Sequence, residues 1–325
     1  MRKAVYVLVT VFFIATLNFF IFQVIPGDPT RVILPRGCGS TVQGGACPLR
    51  AMLIEKWGLD QPVTVRYVRY MWNLLHGDLG TTITYFGGGR PVAEVIASKV
   101  LITLTLVGVA TALTMWLGIV LGRISGWRRG RRADVIITMS TLAGYSMPSF
   151  WISLMLLYAF AVAVPVFPTY WDMGAYARMD MFSVAADYVW HLILPIAAFA
   201  LTNVAWFSLT LRNSLTDVLP EDYMVTAAAK GLDERRQLRE HALPNARLPL
   251  VTASALYFGW VVSGAIVIEV AFSIQGLGLL EWDATLNYDY PLMGGIFLVA
   301  TFGVVIANAV ADILYVILDP RVREA

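Results

Sequence analysis

Six long stretches of this 325-residue chain contain no Asp, Glu, Lys or Arg: Ala4–Ile25, Val100–Gly122, Val135–Tyr170, Tyr188–Leu211, Leu248–Ile268 and Tyr290–Ala311. Each is long enough to cross a hydrocarbon core of about 30 Å as a helix. A helix satisfies its backbone N–H and C=O groups internally, and lipid offers no substitute partners. The pattern predicts an all-α integral membrane protein with six transmembrane helices. Only 14% of the residues are charged, well short of the quarter or so found in soluble domains. The third stretch is too long for one upright helix and too short for two with a hairpin. It reads as one long helix, bent near Pro148 and ending around Pro165–Pro168.

Basic residues orient these spans. Arg123, Arg128, Arg129, Arg131 and Arg132 lie between spans two and three, six more basic residues lie in 212–247, and Arg321 and Arg323 are in the tail. The 171–187 loop has only Arg178, and 269–289 has no Lys or Arg. The positive-inside rule then places both termini in the cytoplasm. Residues 1–25 are expected to form the first span and 26–99 a long extracytoplasmic segment. Residues 100–320 should form a five-helix core with a cytoplasmic loop at 213–247, and 321–325 a cytoplasmic tail. The first span follows Arg2 and Lys3, but it outruns a signal-peptide core and FQVIPGDPT offers no small-x-small cleavage site. An uncleaved helix is expected.

Cys38 and Cys47 both fall in the extracytoplasmic segment, within GCGSTVQGGACP. An oxidising compartment permits a disulfide there; two free thiols in a loop are the alternative. No His stands nearby to complete a metal site. The glycine-rich FGGGRP at 86–91 reads as a flexible joint before span two.

Recognisable catalytic chemistry is missing from the sequence. It contains no GxxxxGK[ST], HExxH or GxSxG, so any ATP-driven work needs partner subunits. Ionisable residues are scarce inside the spans: His191 starts span four, and Glu269 and Asp312 lie at span ends. Proton- or sodium-coupled carriers usually place such groups near the midplane. Small residues spaced by four, Ala255/Gly259/Ser263 and Gly303/Ala307/Ala311, allow close helix packing. Asn18, Asn203 and Asn308 suit interhelical hydrogen bonds or a polar path.

One polar stretch is more elaborate than a connector requires: EDYMVTAAAKGLDERRQLREHALPNARLPL, residues 221–250. Asp222 to Lys230 has acid early and base late, as a helix dipole favours. Tyr223 and Ala227 share one face, Met224 and Ala228 another, and the alanines keep the helix shallow for a partner. Gly231 suits a left-handed helix end and Asp233 the cap of a second helix. Pro244 disfavours further helix.

This stretch resembles the cytoplasmic "EAA" loop of ABC-importer permeases. Gly231 matches the family glycine, Leu243–Pro244 its Leu-Pro, and Ala227 its second Ala, while Val225 and Thr226 replace the leading Glu and first Ala. EDYMVTAAAKGL resembles the form found in the dipeptide/oligopeptide (nickel) branch. IPGDP, GLDQPVTVRYVRYMWNLLHGDLGTT, PSFWISLMLL, HLILP, SGAIVIEVAFSIQGLGLL, DYPLMGGIFLVA and ILDPRVR follow that branch in order, and most resemble its first, B-type permease. Gln275, where the family usually has Pro, and the cysteine-bearing 36–48 insertion depart from it.

The resemblance implies a multi-pass subunit of a prokaryotic plasma or inner membrane. It would form half of a pathway for peptides, or a related small solute, with a second, homologous permease. Two cytoplasmic ATPases, which bind ATP and Mg, would grip the loops, and an extracytoplasmic solute-binding protein would deliver substrate. This chain would bind no cofactor, metal or nucleic acid and perform no catalysis. The expected ATPase-coupling residues are Glu221, Asp222, Tyr223, Ala227, Ala228, Gly231, Leu232, Leu243 and Pro244. The competing reading is a stand-alone secondary transporter or channel.

Overall fold

The computed structural model describes residues 2–24, 54–55, 58, 60–171, 179–247, 249–250, 254, 257 and 265–318, with side chains described between 6 and 309. Cys38, Cys47, the 36–48 insertion, most of the fifth predicted span and the C-terminal tail lie outside them. The described elements are helical: α1 (Arg2–Phe19) running into a π turn (Phe20–Val24), α2 (Val63–Leu75), α3 (Val92–Trp127), α4 (Arg132–Ser146) and α5 (Ser149–Leu157) with a π extension (Tyr158–Ala163). They continue with α6 (Met181–Val218), α7 (Asp222–Ala229), α8 (Glu234–Arg236), a π stretch (Gln237–Ala242), α9 (Leu243–Ala246), α10 (Leu277–Leu286) and α11 (Tyr290–Leu318). Residues 265–271 are also helical. Extended pairing among the described residues is confined to one isolated bridge, Thr81–Pro91.

Among the described residues, four helices are long and apolar enough to cross a membrane: Tyr6–Val24, Val92–Trp127, Met181–Val218 and Tyr290–Ala309. The predicted third span, expected as one long helix bent near Pro148, is broken there. Its two halves, α4 and α5–Ala163, meet at 98°. Met147 is extended (φ −83°, ψ 138°) and Pro148 (φ −58°, ψ 135°) opens the next helix. A proline's ring disfavours helical backbone in the residue before it, which accounts for a break where a bend was expected. The stretch does end as expected, just before Pro165. The second helix starts at Val92 rather than near Val100, because one Lys and one Glu are tolerated in its first turns. At 1.5 Å per residue, α3 and α6 outreach the hydrocarbon layer.

The chain divides into two compact units: residues 1–101 with 279–303, and residues 102–278 with 304–325. In the first, the buried Asn18 donates to the Gly294 carbonyl (3.0 Å) and accepts from the Tyr70 hydroxyl (2.9 Å), an interhelical bond of the expected kind. Phe19 packs edge-on against Tyr67. The segment Thr81–Pro91 is tied down rather than left as a joint. The buried Asp289 carboxylate accepts from the N–H groups of Ile83, Thr84 and Tyr85 at 2.8–2.9 Å. Thr82 and Arg90 exchange a further backbone bond. The positive-φ glycines 87–89 make the tight reversal sterically feasible.

The second unit is organised on α6, which is 61% buried along its most apolar window against 28% for α3. Gly118, Gly122 and Gly126 of α3 face it. A Cβ at Gly122 would stand 2.5 Å from the Ser208 carbonyl oxygen, and one at Gly126 2.9 Å from the Leu215 Cβ. This stripe, rather than the one at Gly303, carries close packing: a Cβ at Gly303 would meet nothing within 4 Å. Asn203 bonds within α6, to Phe199 O and Thr202 Oγ1, and Asn308 is exposed.

The glycine stripe makes a direct prediction. Gly122→Val should cost about 1–3 kcal/mol by overpacking and lower the melting midpoint in detergent. Gly108→Ala, which enters open space, should leave it unchanged or slightly raised. Asp289→Ala should speed hydrogen exchange at the Ile83, Thr84 and Tyr85 amides, since each loses a charged acceptor; unchanged protection would show that other contacts hold the loop.

Candidate functional site

The polar stretch after α6 folds back on that helix. α6 runs past Leu211 to Val218, and α7 begins four residues later at Asp222, with Glu221 at its N-cap position. The Glu221 side chain makes no cap bond, and Asp222 stands in the first turn, where its charge suits the helix dipole. At the other end Gly231 has φ +76°. The Gly231 N–H donates to Ala228 O (2.9 Å) and the Leu232 N–H to Ala227 O (3.4 Å). This paired 5→2 and 6→1 pattern is a Schellman cap, which glycine adopts without the penalty a side chain would bring. It brings Leu232 back over Ala227, and Gln237 Nε2 donates to Leu232 O at 2.6 Å.

The second helix starts at Asp233, as expected, but through backbone alone: Asp233 O accepts from Arg236 and Gln237, and its side chain makes no cap bond. Pro244 does not stop the helix. The chain stays helical through Leu243–Ala246, after a π-helical stretch at Gln237–Ala242. A wide turn ahead of the proline relieves the clash and the missing donor that would break a regular α-helix.

Burial sorts the expected coupling residues into two groups. Met224 of α7 packs with Ala242, Ala246, Leu211 and Leu215 in one apolar cluster. Ala227, three residues on, is 2% exposed, so it faces inward rather than outward with Tyr223. Leu243 packs on the edge of the same cluster; Leu232 and Pro244 are half-buried. Glu221, Asp222, Tyr223, Ala228 and Gly231 are exposed. Val225, identified in the sequence only as a replacement for Glu, is 61% exposed. Partial burial, and secondly the Glu221 carboxylate, raise the Tyr223 phenol above its ordinary value, while Asn245 opposes them. Tyr223 therefore remains a neutral donor at physiological pH. The outward face thus combines small residues, one valine and one tyrosine on a helix fixed at both ends.

Two further polar arrangements were not legible in the sequence. Glu269, noted only as lying at a span end, is fully buried. It accepts from Thr103 Oγ1 (2.6 Å) and the Gly278 N–H (2.6 Å), and Thr103 Oγ1 accepts from the Leu277 N–H (2.7 Å). A Cβ at Gly276 would stand 2.5 Å from both Glu269 Oε2 and Thr103 Oγ1, so glycine is the residue that admits this contact. The turn with Gln275 in place of proline includes Ser273 at φ +54°. His191 is held between Asp187 O (2.8 Å) and Tyr170 O (3.2 Å), and stacks on Trp171 at 5.3 Å. Both its nitrogens have neighbours, which suits an anchored interfacial residue.

Comparison with known proteins places this architecture in a class. Residues 118–324 match the family described as binding-protein-dependent transport system inner membrane component, and residues 1–88 match the N-terminal region of such membrane components. The chain belongs to this family and is a multi-pass membrane permease subunit, a transport component without ATPase activity of its own. It is 34% identical over 310 residues to the oligopeptide transport system permease protein AppB of Bacillus subtilis, covering 95% of this chain and 94% of that one. It is 33% identical to the dipeptide transport system permease protein DppB of Escherichia coli, covering 99% and 98%. It is also 33% identical to the glutathione transport system permease protein GsiC of Salmonella paratyphi A, covering 97% and 95%.

Because Ala227 is buried, Ala227→Phe should displace α7 from the elements it packs against. The expected signs are a lower melting midpoint and faster exchange at the Leu232 amide, with an overpacking cost of about 1–3 kcal/mol. Ala228→Phe, on the outward face, should change neither.

Proposed function

We propose that this chain forms half of the translocation pathway of an ATP-driven importer of short peptides, and that the loop at 213–247 is its ATPase-coupling element. The observation that carries the reading is the loop's construction: α7 is capped by Gly231, seated through Met224 with Ala227 buried beside it, and shallow outward at Ala228. A force-transmitting contact needs a rigid element, and a partner groove needs close access. The three relatives named above are permeases of oligopeptide, dipeptide and glutathione systems, which supports a short peptide as cargo.

In this reading a second, homologous permease completes the pathway, and two ATPase subunits each hold one coupling loop. ATP and Mg reside on those subunits, and this chain binds no cofactor. A solute-binding protein delivers the peptide from outside. The chain has six spans with both termini cytoplasmic, 26–99 is extracytoplasmic, and Cys38 pairs with Cys47 there. The chain takes the part of the first, B-type permease.

The experiment is transport into vesicles holding the assembled complex. Gly231→Pro cannot adopt φ +76°, because the ring locks φ near −65°, and it also removes the donor to Ala228 O. Gly231→Pro and Ala228→Trp should each lower peptide uptake by about tenfold, within the usual range of coupling energies, while the chain still inserts in the membrane. Wild-type uptake in both variants would remove the coupling assignment. Uptake by the purified chain alone without ATP would overturn the importer reading in favour of a secondary carrier.

A further inference from the structure

Arg212 lies on the turn of α6 that carries the loop. Its Nε donates to Asp134 Oδ1 at 2.6 Å and its Nη2 to Asp134 Oδ2 at 2.9 Å. Its Nη1 reaches Asn213 Oδ1 at 3.3 Å. Asp134, in the first turn of α4, is 3% exposed. It also accepts from the Gly130 N–H (2.9 Å) and from Thr138 Oγ1 (3.2 Å). Its carboxylate is thus well supplied with donors, and the fork to Arg212 is bidentate, the strongest and most directional form of such a pair.

A second contact fixes the register of the two helices. A Cβ on Gly144 of α4 would stand 2.5 Å from the Leu201 carbonyl oxygen of α6. From Asp134 to Gly144 is ten residues along α4, and from Arg212 back to Leu201 is eleven along α6. At 1.5 Å per residue these are about 15 and about 16.5 Å. The two contacts therefore match along an antiparallel pair. A slide of one residue, about 1.5 Å, would break hydrogen bonds that must stay near 3 Å.

The same turn of α6 holds the loop. Leu211 and Leu215, four apart, carry Met224, Ala242 and Ala246. Arg212 is turned about 100° from Leu211 on a 3.6-residue helix and carries α4. Loop and α4 thus attach to adjacent sectors of one helical turn. An apolar contact would hold the helices together but would let them slide or rotate. A buried ion pair is costly in desolvation and is poor evidence for stability by itself; the property it adds here is a fixed register.

We infer that the Asp134–Arg212 pair is a positioning clasp that makes α4 follow the coupling loop, so that displacement of the loop reaches the broken helix pair α4–α5. This rests on the reading of the loop as the ATPase-coupling element. Neither residue touches the cargo; both act through the loop and α4.

The test uses the full complex of both permeases, ATPases and binding protein, with Cys38→Ser and Cys47→Ser in this chain. Spin labels at Ser140, exposed on α4, and Val225 on α7 report their separation with and without ATP. In the unaltered pair the distance distribution should stay the same in both states, while the Val225 label moves relative to the corresponding loop of the second permease. Arg212→Gln should make the Ser140–Val225 distribution shift or broaden with ATP, and lower peptide moved per ATP by about tenfold while stimulated hydrolysis persists. Arg212→Lys, which keeps charge without the fork, should fall between. Asp134→Asn is the milder second variant if Arg212→Gln fails to assemble. Unchanged coupling and an unchanged distribution in the assembled variants would overturn the clasp. A Ser140–Val225 separation that changes with ATP in the unaltered chain would overturn it too. A Val225 label whose distance to the second permease's loop never changes with ATP would instead overturn the coupling-loop reading.

Discussion

The close approach of α3 to α6 is the contact on which the second unit depends. In lipid, apolar side chains gain little by burying against one another, so helix association rests on packing and on polar bonds. Gly118, Gly122 and Gly126 remove the side chains that would hold the helices apart, and α6 becomes the most enclosed of the long helices. With α6 fixed by α3 on one side, it offers the remaining faces to α4 and to the folded-back loop. A loop built on a loose helix could not pass a displacement on. A loop seated through Met224, Ala242 and Ala246 on Leu211 and Leu215 is attached to the part of the unit least free to yield.

Three buried carboxylates in the helical body are supplied with specific donors. Asp134 has Arg212, Gly130 and Thr138; Glu269 has Thr103 and Gly278; Asp289 has three successive backbone N–H groups. Burying such groups without partners is expensive, so they persist where the chain supplies a complete set. Each also joins elements distant in sequence, as Asp289 does with residues about 200 positions earlier. These carboxylates act as registration points, which matters more for a protein that must move in defined ways than for one that only has to stay folded.

The sequence made much of this architecture legible, and the failures have identifiable causes. Charge-free runs located the long helices because lipid excludes charge irrespective of tertiary detail. Gly231 was legible as a helix end because a positive φ is a local demand. The inward turn of Ala227 was not: alanine is acceptable on either face, and only the elements packed against α7 select one. Pro148 signalled a bend, but the 98° angle depends on what each half packs against. Pro244 signalled a stop, yet a π-helical stretch accommodates it. FGGGRP signalled flexibility because glycine permits many conformations, and Asp289, far along the chain, selects a single one.

By itself, the sequence determined that this chain is a helical membrane protein, and it marked residues 213–247 as an unusually organised polar loop. Those conclusions depend on transfer energies and backbone limits that act residue by residue. Only the tertiary structure decided that the loop folds back onto α6, that Ala227 faces inward while Val225 and Ala228 face outward, and that Asp134 meets Arg212. Each of these is a pairing between residues that carry no mark of one another in sequence. The partner of a buried charge or a small side chain is set by which helices lie side by side, and that choice is made by the packing of the whole unit.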